Sequence, residues 1–177
     1  IAAARASLKT LVAPFTQVRT IGLLGSDVTS TGEVTVVRPD KLRWEVRPPD
    51  AMTYWVLPEG LYMQSGSQKA VKAPPNAGNL GGVLADVQLF VGGDLRKLAD
   101  RYDLSVTSTD GGVGLEARPK KDETKKLLSR VELKTTPDLW AVSRFVIEEA
   151  SGDRSVITFG DAKRDGAVDP SKLKPPV

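Results

Sequence analysis

Arg38-Pro39-Asp40-Lys41-Leu42-Arg43-Trp44-Glu45-Val46-Arg47-Pro48-Pro49-Asp50-Ala51-Met52-Thr53-Tyr54-Trp55 is the stretch on which the fold turns. Leu42, Trp44 and Val46 alternate with Arg43, Glu45 and Arg47, the period of a strand with one apolar face. Pro39 and Pro48-Pro49 lack amide donors, so this strand is bounded on both sides. Arg38 precedes a proline and is pushed out of helical space, which fixes a cation at the corner between two strands. The next run, Met52 to Leu57, is apolar at both parities: Met52, Tyr54 and Val56 on one side, Trp55 and Leu57 on the other. Such a strand lies inside a core or turns one face to something other than water.

Working outward toward the first residue, Ala2 to Ala13 is rich in helix formers and is expected to be a helix ended by Pro14. Phe15 to Ile21 reads as a strand, Gly22 to Gly32 as a flexible connection, and Glu33 to Arg38 as a second strand. Beyond Leu57, short strands are expected at Leu61 to Gln64 and Gln68 to Lys72, each joined by a turn, which makes an antiparallel meander. The period then lengthens to about 3.6. Leu80, Val83, Leu84, Val87 and Val91 share a helical face with Phe90 beside it, and Gly92-Gly93 stops the helix. A short helix over Leu95 to Tyr102 follows, with Asp94 as N-cap. Strands resume at Leu104 to Thr109, Gly114 to Arg118, Leu128 to Thr135, Val142 to Glu149 and Ser155 to Asp161, and Ala167 to Lys172 forms a helical turn. About eleven antiparallel strands in so short a chain must curl or split. Either one strongly curved sheet carries helices on its concave side, or the chain is a packed two-layer α+β domain.

Composition narrows the chemistry. The 177 residues are 40% apolar but only 6% aromatic, and 25 cations nearly balance 22 anions for a net charge of +3. No basic cluster interleaved with aromatics marks a nucleic-acid surface. The run Arg118 to Lys126 alternates in sign and reads as a solvated turn. Cysteine and histidine are both absent. That removes disulfides, thiolate chemistry, Ser-His-Asp hydrolysis and imidazole-ligated zinc. No cofactor or metal is expected. An enzyme built on paired carboxylates would draw on Glu148 and Glu149 or on Asp50 and Glu59. Adjacent residues on a strand face opposite ways, so the first pair cannot share a substrate. A partner-binding domain with no cargo is the remaining alternative.

Several motifs resemble one family. Phe15-Thr16-Gln17-Val18-Arg19 is similar to the F-x-Q-x-K/R opening of the LolA family of periplasmic lipoprotein carriers. Gly32 through Arg38-Pro39, then Leu42-x-Trp44 and Pro49, resembles that family's segment at matching spacing, and Asp165 to Asp169 with Lys172-Leu173 and Pro175-Pro176-Val177 resembles its close. The resemblance implies a mainly β (α+β) fold: a strongly curved antiparallel sheet forming an incomplete barrel, helices over its concave side, one domain across residues 1–177. It implies a non-enzymatic monomer in the periplasm. Such a carrier takes acylated lipoprotein from an inner-membrane lipoprotein-releasing transporter and passes it to an outer-membrane receptor. Arg38 corresponds to an arginine that bonds the lid. Leu42 and Trp44 correspond to cavity-lining positions. Strand parity adds Val34, Val36 and Val46, and the expected lining is completed by Met52, Tyr54, Val56, Leu61, Met63, Phe145 and Ile147. The lid is the helix carrying Leu80, Val83, Leu84, Val87 and Phe90. Relatives of this fold, a LolB-like receptor or a carrier of another amphiphile such as a glycolipid, are the alternative.

Overall fold

The computed structural model describes residues 7–23, 25–73, 86–90, 95–109 and 111–177. Twelve strands form one antiparallel sheet: β1 (Thr10–Ile21), β2 (Ser26–Val37), β3 (Lys41–Val46), β4 (Met52–Leu57), β5 (Gly60–Ser65), β6 (Val71–Lys72), β7 (Tyr102–Thr109), β8 (Gly112–Pro119), β9 (Leu128–Thr135), β10 (Val142–Glu149), β11 (Arg154–Phe159) and β12 (Lys163–Arg164). Residues 86–90 are helical. Helix α1 (Leu95–Arg101) leads into β7, α2 (Asp122–Lys125) joins β8 to β9, and a 3-10 turn spans Pro170–Leu173.

The strand order β6-β5-β4-β3-β2-β1-β11-β10-β9-β8-β7 is two meanders joined along β1 and β11. That joint pairs Phe15 with Phe159 through to Thr20 with Arg154. The expected incomplete barrel is corrected here: the sheet is neither closed nor strongly curled, and it has twelve strands where about eleven were counted. An open sheet buries its apolar face without closing when helices lie over it. Val87 and Phe90 of the 86–90 stretch and Leu98 of α1 do this, entering the same core as Phe15, Trp44, Leu115, Val131, Phe145 and Ile157.

The expected helix over Ala2 to Ala13 is contradicted at its end, because Thr10 to Ala13 already belong to β1; residues 1–6 lie outside the described residues. Leu11, Ala13 and Phe15 are buried at a period of two and pair with Val36, Val34 and Gly32. That long-range pairing overrides the helix propensity of alanine. Pro14 survives inside a central strand for a specific reason. Its carbonyl accepts from Gly160 N–H at 2.8 Å, so its missing donor would have faced the gap between β11 and β12. The connection expected at Gly22 to Gly32 is likewise a strand from Ser26 onward, in a twelve-pair ladder with β1. Tyr102, expected in a helix, opens β7.

The opposite face carries a smaller cluster of Trp55, Leu57 and Ala70. The 170–177 segment bonds across it: Trp55 Nε1 donates to Lys172 O at 2.8 Å and Ala70 N–H donates to Pro176 O at 2.9 Å. Farther along that face Arg130 gathers Glu116, Glu132 and Glu148, with Arg154 also on Glu148.

Candidate functional site

Strand alternation and register assemble the apolar face. Val34 stands opposite Trp44, which stands opposite Tyr54, and Val36, Leu42, Val56 and Leu61 form the next row. The Phe15 ring lies 4.3 Å from Trp44, and Phe159 meets Trp44 edge-on at 6.0 Å. Gly32 permits this packing: a Cβ there would stand 2.3 Å from Phe15 Cζ and 2.0 Å from Glu45 O.

Of the residues expected to line a cavity, Val34, Val36, Leu42, Trp44, Val56 and Phe145 are buried. Val46, Met52, Tyr54, Leu61, Met63 and Ile147 are half-buried, a partly exposed apolar margin around the packed centre. Burial pushes the Tyr54 hydroxyl above its ordinary range. Of the residues assigned to the lid helix, Val87 and Phe90 are described and each is 2% exposed; Leu80, Val83 and Leu84 lie outside the described residues. Phe90 reaches Phe145 at 5.5 Å and Tyr102 at 5.8 Å.

A polar latch beside these contacts was not foreseen. Asp86 is 2% exposed, accepts a hydrogen bond from the Tyr102 hydroxyl and pairs with the Arg101 guanidinium. Burial pushes the Asp86 carboxyl above the usual carboxylate range, opposed by its two partners, and burial with the adjacent carboxylate pushes Tyr102 up. A single acid inside the apolar run Leu80 to Val91 was the available signal. Arg38 is half-buried at the β2–β3 corner, and its backbone N–H donates to Lys9 O at 2.9 Å.

A crevice of about 320 Å³ opens at the end of β10, lined by Trp140, Ala141, Val142, Phe159 and Ala162 with a polar rim that includes Asp138 and Asp161. Val142 and Phe159 belong to the main core, so the crevice meets the apolar face. Arg164 stacks on Trp140 at 5.2 Å. None of the residues expected to line a cavity borders it.

The carboxylate pairs considered for an enzyme are engaged or apart. Glu148 pairs with Arg130 and Arg154, Glu149 pairs with Arg19, and Asp50 and Glu59 are exposed beyond opposite ends of β4. Among the described residues no group of acids could hold a metal ion.

Residues 6–175 match the family described as outer membrane lipoprotein carrier protein LolA. The chain belongs to the LolA family. LolA proteins form a non-catalytic carrier family that binds lipoproteins and is typically periplasmic. No curated protein sequence matches this one. Among solved structures, a DUF1329 family protein from Desulfovibrio piger superposes with a TM-score of 0.54 at 13% identity, over 95% of this chain and 90% of that one. A LolA superfamily protein from Nitrosomonas europaea gives 0.50 at 12% identity, over 97% and 93%. An outer membrane lipoprotein-sorting protein domain from Vibrio parahaemolyticus gives 0.52 at 7% identity, over 97% and 92%. At these identities the likeness is one of fold. No helix among the described residues of this LolA-family chain is long and apolar enough to cross a membrane.

Proposed function

We propose that residues 1–177 act as one carrier domain that holds the acyl chains of a lipoprotein against the apolar face, beneath a displaceable cover. The cover is the 86–90 helical stretch with α1. In the periplasm the carrier takes its cargo from an inner-membrane lipoprotein-releasing transporter and hands it to an outer-membrane receptor. The observation that carries this reading is how the cover is held: Val87, Phe90 and Leu98 enter the core, and the Asp86 latch holds one end.

Each buried side chain of this kind contributes about 2 kcal/mol, so the three give roughly 6 kcal/mol. A buried methylene gives about 0.8 kcal/mol, so some eight methylenes match the cover. Exchange of cover for cargo is then close to balanced, which lets a carrier both load and release. The crevice beside Trp140 offers the chains a way to the face. Arg38 braces the closed cover.

The test is displacement of an environment-sensitive dye. Triacylated peptide should displace bound dye, while the same peptide without acyl chains should leave it in place. A protein that takes up no dye with its cover loosened by Asp86→Ala has no accessible apolar face, and the carrier reading ends there. Arg38→Leu should load acylated peptide and release it slowly to an acceptor; unchanged release removes the bracing role.

A further inference from the structure

The face of the sheet opposite the cover holds a second depression, of about 280 Å³, over β7 to β10. Thr107, Gly114, Lys134 and Arg144 are successive register partners across those strands and all line it. Gly114 has no side chain, so the row dips between Lys134 and Thr107. Ser105, Glu116 and Glu132 stand on the next row, and Val146, 1% exposed, forms the floor.

Arg144 reaches this face through a β-bulge. Val142 pairs with Thr135 and Arg144 with Lys134, so Ser143 is the extra residue. Its hydroxyl is 3.1 Å from Lys134 O and 3.2 Å from Thr135 O, which pins the bulge. Without the bulge, Arg144 would share a face with buried Val142 and Phe145 would point out. Bulges re-aim side chains in this way.

The result sets two cations directly opposite each other, an arrangement that destabilises a sheet unless something offsets it. The nearby carboxylates do not. Glu116, Glu132 and Glu148 are drawn to Arg130, with Arg118 also on Glu116 and Arg154 on Glu148. Among the described residues neither Lys134 nor Arg144 makes an ion pair or a side-chain hydrogen bond.

We propose that this depression binds an anionic group, a phosphate or carboxylate, between the Lys134 ammonium and the Arg144 guanidinium, with the Ser105 and Thr107 hydroxyls as further donors. The guanidinium fork suits two anion oxygens and the ammonium adds a point charge. The site lies across the sheet from the apolar face and does not depend on the carrier reading. A free anion and the headgroup of an acidic lipid offer the same chemistry.

The test uses inorganic phosphate and lipid vesicles at low ionic strength. Phosphate should shift the amide resonances of Gly114, Lys134 and Arg144. Lys134→Gln with Arg144→Gln should weaken that binding about ten-fold or more, with the dichroism spectrum unchanged. Added salt should weaken it as well. Phosphatidylglycerol vesicles that sediment the native protein but not the double variant identify a headgroup as the source. Phosphate shifts with no difference between phosphatidylglycerol and phosphatidylcholine identify a free anion. Shifts that persist in the double variant, or native protein that answers neither phosphate nor vesicles, overturn the site.

Discussion

Asp86 shows how much one side chain constrains the cover. A buried carboxyl is tolerated only when it is hydrogen-bonded or paired, and here Tyr102 donates one hydrogen bond and Arg101 forms an ion pair. Asp86→Ala leaves the Tyr102 hydroxyl buried without an acceptor and should cost about 1–3 kcal/mol in urea unfolding. Asp86→Asn keeps an acceptor oxygen and removes a desolvated charge, so it should stay within about 1 kcal/mol of the native protein. The raised carboxyl pKa also fixes a sign. Its contribution is present below the ordinary value of 3.8 and is lost as pH rises through the higher folded value. Asp86→Asn should abolish that drift. Gly32 is equally specific: Gly32→Ala drives a methyl into the Phe15 ring and the Glu45 carbonyl and should destabilise by about 1–3 kcal/mol in the same assay. Neither role was legible in the sequence. Gly32 reads as the end of a loop, and nothing in the sequence says that Asp86 meets Tyr102 and Arg101.

At the scale of elements, the parts bounded by their own chemistry were readable. Pro39 and Pro48-Pro49 delimit β3, and β4 matches the apolar run Met52 to Leu57. The errors fall where a partner far along the chain decides. Thr10 to Ala13 carry helix-forming alanine and leucine yet pair with Val34 to Val37, and the small polar residues after Gly25 extend β2 because β1 lies beside them. The bulge at Ser143 was invisible for the same reason. The 170–177 segment gives a prediction of its own. It covers Trp55 through the bond to Lys172 O and meets Ala70 through Pro176 O. Truncation after Asp169 should expose Trp55, shift tryptophan emission to the red and lower the thermal midpoint by several degrees; about 2–4 °C accompanies each kcal/mol in a chain of this size.

For the whole molecule, β content and antiparallel order followed from period and turn residues, while closure did not. Whether a sheet closes depends on how its last strands meet, and β6 and β7 lie about thirty residues apart with the cover between them. Acid sensitivity also belongs at this scale. Hydrogen bonds from Arg43 and Arg130 hold Glu45 and Glu148 below the ordinary carboxylate value of 4.5. Their contribution is present above that value and is lost as pH falls through the lower folded ones. Thermal midpoints should therefore fall between pH 5 and pH 3, and Arg130→Gln should flatten the fall at its upper end.

The joint between β1 and β11 has a consequence for biosynthesis. β1 is made before both of its neighbours and β2 follows it directly, yet its other flank waits for a strand on the order of a hundred residues downstream. At ordinary elongation speeds that wait lasts roughly ten seconds. For that interval a nascent chain carries bare backbone amides flanked by Phe15 and Val18, a sticky margin for any other extended chain it meets.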